Sequence, residues 1–371
     1  MMFLAWSKAF DRVRHETMLI ALRRFGIPEQ FLDMIQSIYS NRTFSIRDCG
    51  VTSSVRPQCS GIAQGCPLSP YLFIIVLTVI FQDVDSMTGN DPDKFLEETA
   101  AKQILDVSYA DDTLLACKDC QQLEEYLHTL IRTAEKYGLQ PNWDKTVHMR
   151  VGHEDEVYTP AGNPTKTASQ TIYLGSLLTV TGSSSSSVGR RIGEAKSVFS
   201  SLSEVWKHAN ITKARKIQIY EACVISKLSF SVECECLRQA DKDRLNAFHC
   251  KCLRKILKVA PSWISRVPNK TVLEMAKCKP LSEKLLHTQL LLFGKIAMSS
   301  NNDLMRQLTF KPSSLEPASC FHKKRGRPRL SWQSVLLAQV TAAITTEQLS
   351  NLLLSPRSDI CMWRQYLVEF F

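Results

Sequence analysis

No uninterrupted apolar run in this sequence is long enough to span a bilayer; the longest, Tyr71 to Phe81, reads as a buried helix. Met1 to Trp6 is apolar but lacks a basic leader and a cleavage pattern, so the expectation is no signal peptide and an intracellular chain, cytoplasmic or nuclear. The 13 cysteines have no framework spacing, which argues against a disulfide scaffold. Cys117-x-x-Cys120 has no matching second pair. Cys234, Cys236, His249, Cys250 and Cys252 mix Cys-x-Cys with His-Cys-x-Cys, so neither group has paired zinc-knuckle spacing, and both read as buried or incidental thiols. No internal repeat is present. At 371 residues, 44% hydrophobic and 22% charged, the chain suits two or three globular domains rather than disorder.

What is present is concentrated in a few places. Tyr109-Ala110-Asp111-Asp112 sits between the short apolar runs Ile104 to Val107 and Leu114 to Ala116. That pattern predicts a hairpin with two acids at its tip. On its own, Asp-Asp in a turn is more often a solvated turn. Adjacent carboxylates on a rigid turn are also the hard oxygen ligands that Mg²⁺ takes, and two such ions can serve both oxygens of an in-line phosphoryl displacement.

Charge is divided along the chain. Residues 1–180 hold 16 Lys and Arg against 22 Asp and Glu, whereas residues 181–371 hold 30 against 14. A basic half joined to an acidic half fits a polyanionic partner. The basic clusters are Lys213, Arg215 and Lys216; Arg254 and Lys255; and Lys323, Lys324, Arg325, Arg327 and Arg329. Gly182 followed by Ser183 to Ser187 reads as a linker. After it, helical periodicity prevails, loosening beyond Pro261, while Gln82 to Lys102 reads as a polar surface excursion.

Further segments flank the acid pair: Ser60-Gly61-Ile62-Ala63-Gln64-Gly65-Cys66-Pro67-Leu68-Ser69-Pro70 before it, then Gly138 to Thr146, Tyr173-Leu174-Gly175-Ser176, and Arg325-Gly326-Arg327-Pro328. In this order they resemble the reverse transcriptases of non-long-terminal-repeat retrotransposons, the long interspersed element class. The resemblance implies an α+β fold: a right-hand polymerase palm over residues 1–180, with an antiparallel sheet and helices, then a helical thumb over 181–260 and a helical basic tail over 261–371. The finger segments that precede the palm in the family are expected to be mostly absent.

It also implies roles. Asp111 and Asp112 would hold Mg²⁺, and Lys145 would serve the leaving pyrophosphate. Phe10, Gln64, Gly65, Tyr109 and Ala110 would line the incoming deoxynucleoside triphosphate, with Phe10 excluding a 2′ hydroxyl. Tyr173, Leu174 and Gly175 would grip the primer. The implied partners are an RNA template, a DNA primer and deoxynucleoside triphosphates, with no membrane. One departure stands out. The family's first palm motif begins with an Asp that supplies the other metal ligand, and here Ala5 occupies that place in Ala5-Trp6-Ser7-Lys8-Ala9-Phe10-Asp11. Ala5 is expected near Asp111 across neighbouring strands, with Asp11 capping a helix and facing away. The expected function is therefore an RNA-directed DNA polymerase domain with impaired catalysis. The alternative is a non-catalytic nucleic-acid-binding protein or a retrotransposon remnant.

Overall fold

Short apolar strands satisfy their backbone groups by pairing, and that pairing sets the first half of this molecule. The computed structural model describes residues 1–92, 103–208, 210–318, 331–355 and 358–370. It divides into two compact units, residues 1–174 with 178–181 and residues 175–177 with 182–371.

In the first unit, Met2–Ala5 (β1) lies inside a four-stranded sheet. Two short ribbons follow, Thr43–Phe44 (β2) with Arg56–Pro57 (β5) and Arg47–Asp48 (β3) with Val51–Thr52 (β4). Ile104–Tyr109 (β6) and Asp112–Cys117 (β7) form the expected hairpin, and Val147–His148 (β8) closes the sheet in the order β6-β7-β1-β8. All its pairings are antiparallel. Gln170–Tyr173 (β9) and Ser176–Thr179 (β10) form a separate hairpin where the chain passes between units.

Helices His15–Phe25, Ser69–Thr88 and Cys120–Lys136 supply much of the remaining core, with Met18, Leu22, Phe73, Val76, Ile80, Tyr126 and Leu130 fully buried. Burying side chains of this size contributes roughly 1.5–3 kcal/mol each. Ser69–Thr88 is long and apolar enough to cross a membrane by length and composition, but its buried side is part of this core. It also corrects the first part of the surface excursion expected over Gln82 to Lys102, of which residues 93–102 lie outside the described residues. The helix continues through Gln82 to Thr88, because Val84 is on the core side, and Gly89 ends it with φ 67°.

The second unit is helical. Its expected linker is not one: helix Ser184–Ser201 begins within the serine run. The hydroxyl of Ser184 donates to Cys236 O at 3.1 Å and that of Ser185 to Asp241 Oδ2 at 3.0 Å, so the serines bind the fold rather than water. Nor does a boundary appear near residue 260. Leu253 and Leu257 share one core with Val272, Ala276 and Leu281, so helices on both sides of Pro261 are packed together. The region beyond it is tightly built, with Phe293, Phe310, Val340, Leu349, Trp363 and Leu367 in a further core.

Candidate active site and nucleic-acid interface

The acid pair is held by the hairpin it terminates. Tyr109 pairs with Asp112, leaving Ala110 and Asp111 as a two-residue loop. Such loops require positive φ at central positions, and Ala110 has φ 53°. A non-glycine residue there costs about 1–2 kcal/mol, strain kept at the tip that presents the acids.

Strand β1 lies beside this hairpin with Ala5 opposite Asp112, the neighbour of the Asp111 to which the sequence pointed. Ala5 is pinned on both sides: its N–H donates to Thr146 Oγ1 at 3.3 Å, and its carbonyl accepts from Asn142 N at 2.7 Å. The Gly138 to Thr146 segment is thereby laid against β1. Gly138 makes this approach possible, since a Cβ there would overlap the Arg12 carbonyl and the backbone has φ 91°.

This brings Ala5, Asp112 and Lys145 into one electrostatic neighbourhood. Partial burial, followed by the adjacent Asp111, holds the Asp112 carboxyl above its usual range, and the Lys145 ammonium opposes that shift. Tyr173 belongs to the same neighbourhood: burial, then Asp112, raises its phenol, and its hydroxyl donates to Val107 O at 3.3 Å. Leu174 has φ 47°, and the carbonyl of Gly175 accepts from Arg190 at 2.9 Å and from Arg191.

Beside the hairpin tip opens a cavity of about 1240 Å³ whose walls include Phe10, Phe73, Asp85, Asp106, Tyr109 and Ala110. Phe10 stacks on Phe73 with centroids 4.8 Å apart. Gln64 and Gly65 are exposed and lie outside this lining. Gln64 instead donates to Asp11 Oδ1 at 3.0 Å. Asp11 does not cap a helix: the short helix Ala9–Arg12 starts from Lys8, whose φ of 47° makes the turn, and Asp11 falls inside it.

Sequence reasoning overlooked Asp106, an acid inside a run read as apolar. Burial, then the charge of Asp85, pushes its carboxyl up to about 6. Asp85 itself accepts from the Tyr126 hydroxyl at 2.9 Å and from Asn90 at 2.7 Å. Because Asp106 holds its proton more firmly folded than unfolded, its contribution is full below about pH 4 and is lost as pH rises through 6. Asp106→Asn is therefore expected to raise stability above pH 7, on the order of 2 kcal/mol, with the gain fading toward pH 4. Thermal melts of both proteins across that range check it, and a pH-independent difference would contradict it.

The donor set does not fit a two-metal site. Its carboxylates come from one hairpin, a methyl group occupies the position across the strand, and among the described residues no third ligating group joins the pair.

The basic clusters divide. Lys213, Arg215 and Lys255 are exposed, the last 5.9 Å from the Phe199 ring centroid. Lys216 and Arg254 are not available to phosphate. Lys216 is buried, with its ammonium donating to the carbonyls of Trp206 at 2.8 Å and His208 at 2.7 Å. Arg254 is buried against Ala260 O, Val267 O and Asn269 Oδ1. Both charges close chain turns, a use that composition cannot reveal. Lys323, Lys324, Arg325, Arg327 and Arg329 lie outside the described residues.

A profile of the reverse transcriptase (RNA-dependent DNA polymerase) family matches residues 1–178. The Pol polyprotein of the type-2 retrotransposable element R2DM of Drosophila melanogaster is 29% identical over 170 residues, 46% of this chain and 15% of that protein. The RNA-directed DNA polymerase of the mobile element jockey, from the same organism, is 29% identical over 153 residues, 40% of this chain and 16% of its own length. Among solved structures, telomerase from Candida albicans bound to a fragment of telomeric RNA is 16% identical, with a TM-score of 0.34 over 81% of this chain and 49% of that one.

Proposed function

Given that residues 1–178 form a reverse-transcriptase domain of the non-long-terminal-repeat retrotransposon kind, we propose that this chain engages an RNA template and a DNA primer without catalysing nucleotidyl transfer. The observation that carries this reading is Ala5 opposite Asp112. Removing a ligand from a site built on positioned charge costs several kcal/mol of transition-state stabilisation. In this reading Asp111 and Asp112 are what remains of a Mg²⁺ site. Lys145 pairs electrostatically with Asp112 instead of a leaving pyrophosphate. Phe10, Tyr109 and Ala110 keep the wall against which a deoxynucleotide would lie, with Gln64 and Gly65 at its approach. Tyr173, Leu174 and Gly175 meet the primer strand, and the chain works inside the cell. Binding draws on the basic half, with Lys213, Arg215 and Lys255 touching phosphates and the 323–329 run as a further phosphate-binding segment.

Fluorescence anisotropy of an RNA–DNA hybrid with the full chain across a salt series tests the binding. Log affinity is expected to fall linearly with log salt, and Lys213→Gln with Arg215→Gln to flatten the slope by up to about 1.8, roughly 0.9 for each phosphate no longer neutralised. Lys216→Gln is expected to lower the melting temperature instead, by stranding the Trp206 and His208 carbonyls. Absent or salt-independent binding would remove the proposal.

A further inference from the structure

Far from the acid pair, at the other end of β7, three side chains distant in sequence converge. β7 runs from Asp112 to Cys117, which separates its ends by about 17 Å. Just past it, Cys120 opens helix Cys120–Lys136, whose first turn is capped by Asp119. His148 ends the edge strand β8, and His153 follows in the loop beyond it.

One ligand atom from each of Cys120, His148 and His153 lies within 4.8 Å of the other two. The Cys120 Sγ is 3.3 Å from His153 Nδ1 and 3.6 Å from its Nε2. Around a tetrahedral ion with Zn–S near 2.3 Å and Zn–N near 2.0–2.1 Å, sulfur and nitrogen ligands stand about 3.6 Å apart, close to the Cys120–His153 separation, and His148 is within 4.8 Å of both. A second, independent observation comes from His148. It is fully buried, yet neither ring nitrogen has a hydrogen-bond partner. A buried imidazole without partners is costly, and a metal ion bound at one of its nitrogens offsets part of that cost.

We propose that Cys120, His148 and His153 form a zinc site that ties the helix start, the edge strand and the following loop together. The site is structural, independent of the nucleotidyl-transfer reading, and uses three protein ligands with solvent as the fourth. Zinc suits this donor set because one thiolate and two neutral imidazoles are borderline-soft ligands without a hard-oxygen cage. Binding replaces the Cys120 thiol proton with the ion, so one proton is released for each zinc bound at a pH where the thiol is protonated. The carboxylate of Asp155, 3.9 Å from His153 Nδ1, adds negative charge at the rim. Cys117 is outside the cluster; its sulfur accepts from Asp119 N at 3.4 Å.

The test uses the 371-residue chain loaded with zinc, passed over a desalting column and analysed by elemental mass spectrometry. One equivalent of zinc is expected to remain. Cys120→Ser and His153→Gln should each weaken retention at least tenfold, whereas Cys250→Ser should not. With cobalt in place of zinc, a thiolate-to-metal charge-transfer band should appear and vanish in Cys120→Ser. His153 sits in a loop, so His153→Gln is expected to keep the circular dichroism of the metal-free chain, which separates loss of a ligand from loss of the fold. No retained zinc, or equal retention and an unchanged cobalt spectrum in the two ligand variants, would overturn the proposal.

Discussion

Replacing Ala5 with aspartate is expected to give this chain a divalent-metal response that the unsubstituted protein lacks. Position 5 is opposite Asp112 in an antiparallel pair, so the two side chains share one face with Cβ atoms about 4.5–5.5 Å apart. The backbone there is fixed by Thr146 on one side and Asn142 on the other, so a new carboxylate would be delivered into a defined position rather than a mobile one. In the absence of metal, Ala5→Asp adds a like charge beside Asp112, whose carboxyl is already raised by burial and then by Asp111. The variant should therefore melt below the parent, by an amount equivalent to about 1 kcal/mol. Added Mg²⁺ should reverse that loss in the variant and leave the parent unmoved, whereas Ala5→Asn should show neither effect. Restored ligation should also raise any primer extension by about 10²-fold or more, the scale associated with several kcal/mol of transition-state charge stabilisation.

The largest stability effect is expected in the second unit, at the crossing of helices Leu281–Met298 and Ile360–Phe370. Trp363 is fully buried there, its indole N–H donating to Leu290 O at 2.8 Å and its ring stacked on Tyr366 at 5.6 Å. Gly294 is directly beneath it, where an added methyl would overlap the indole ring. Trp363→Ala should cost about 3–5 kcal/mol through the cavity it leaves. Gly294→Ala should also destabilise, by about 1–3 kcal/mol, although alanine is the better helix former by about 1 kcal/mol. The sign should reverse once the indole is gone. In a Trp363→Ala background, Gly294→Ala should gain about 1 kcal/mol, because only the helix preference remains. Denaturant melts of the four proteins complete the cycle, and additive losses would show that the two helices do not meet through this pair.

Features written in local pattern were legible in the sequence. The acid hairpin could be read because two short apolar runs on either side of a polar turn specify it within fourteen positions, from Ile104 to Cys117. The helical spacing of apolar residues over Leu123 to Tyr137 is legible in the same way, and a helix spans Cys120–Lys136. What escaped depended on partners remote in sequence. The serines after Gly182 look like a linker until Cys236 and Asp241 receive their hydroxyls. Lys216 and Arg254 look like phosphate ligands until the carbonyls that surround them are known. In the site itself, the loss of a ligand at position 5 was visible from motif order, but the register that sets it opposite Asp112 required the sheet. Asp106 was hidden by its neighbours, since a single acid in an apolar strand shows its significance only when Asp85 and the cavity wall stand beside it.

Primer extension measures most directly whether Ala5 leaves this reverse-transcriptase domain without nucleotidyl transfer. The reaction holds the unsubstituted chain, an RNA template, an annealed DNA primer, all four deoxynucleoside triphosphates and Mg²⁺, with Ala5→Asp assayed beside it. No extension above the protein-free control is expected for the unsubstituted chain, under conditions where anisotropy shows the hybrid to be bound. Processive incorporation by the unsubstituted chain, with no gain on restoring the aspartate, would contradict it.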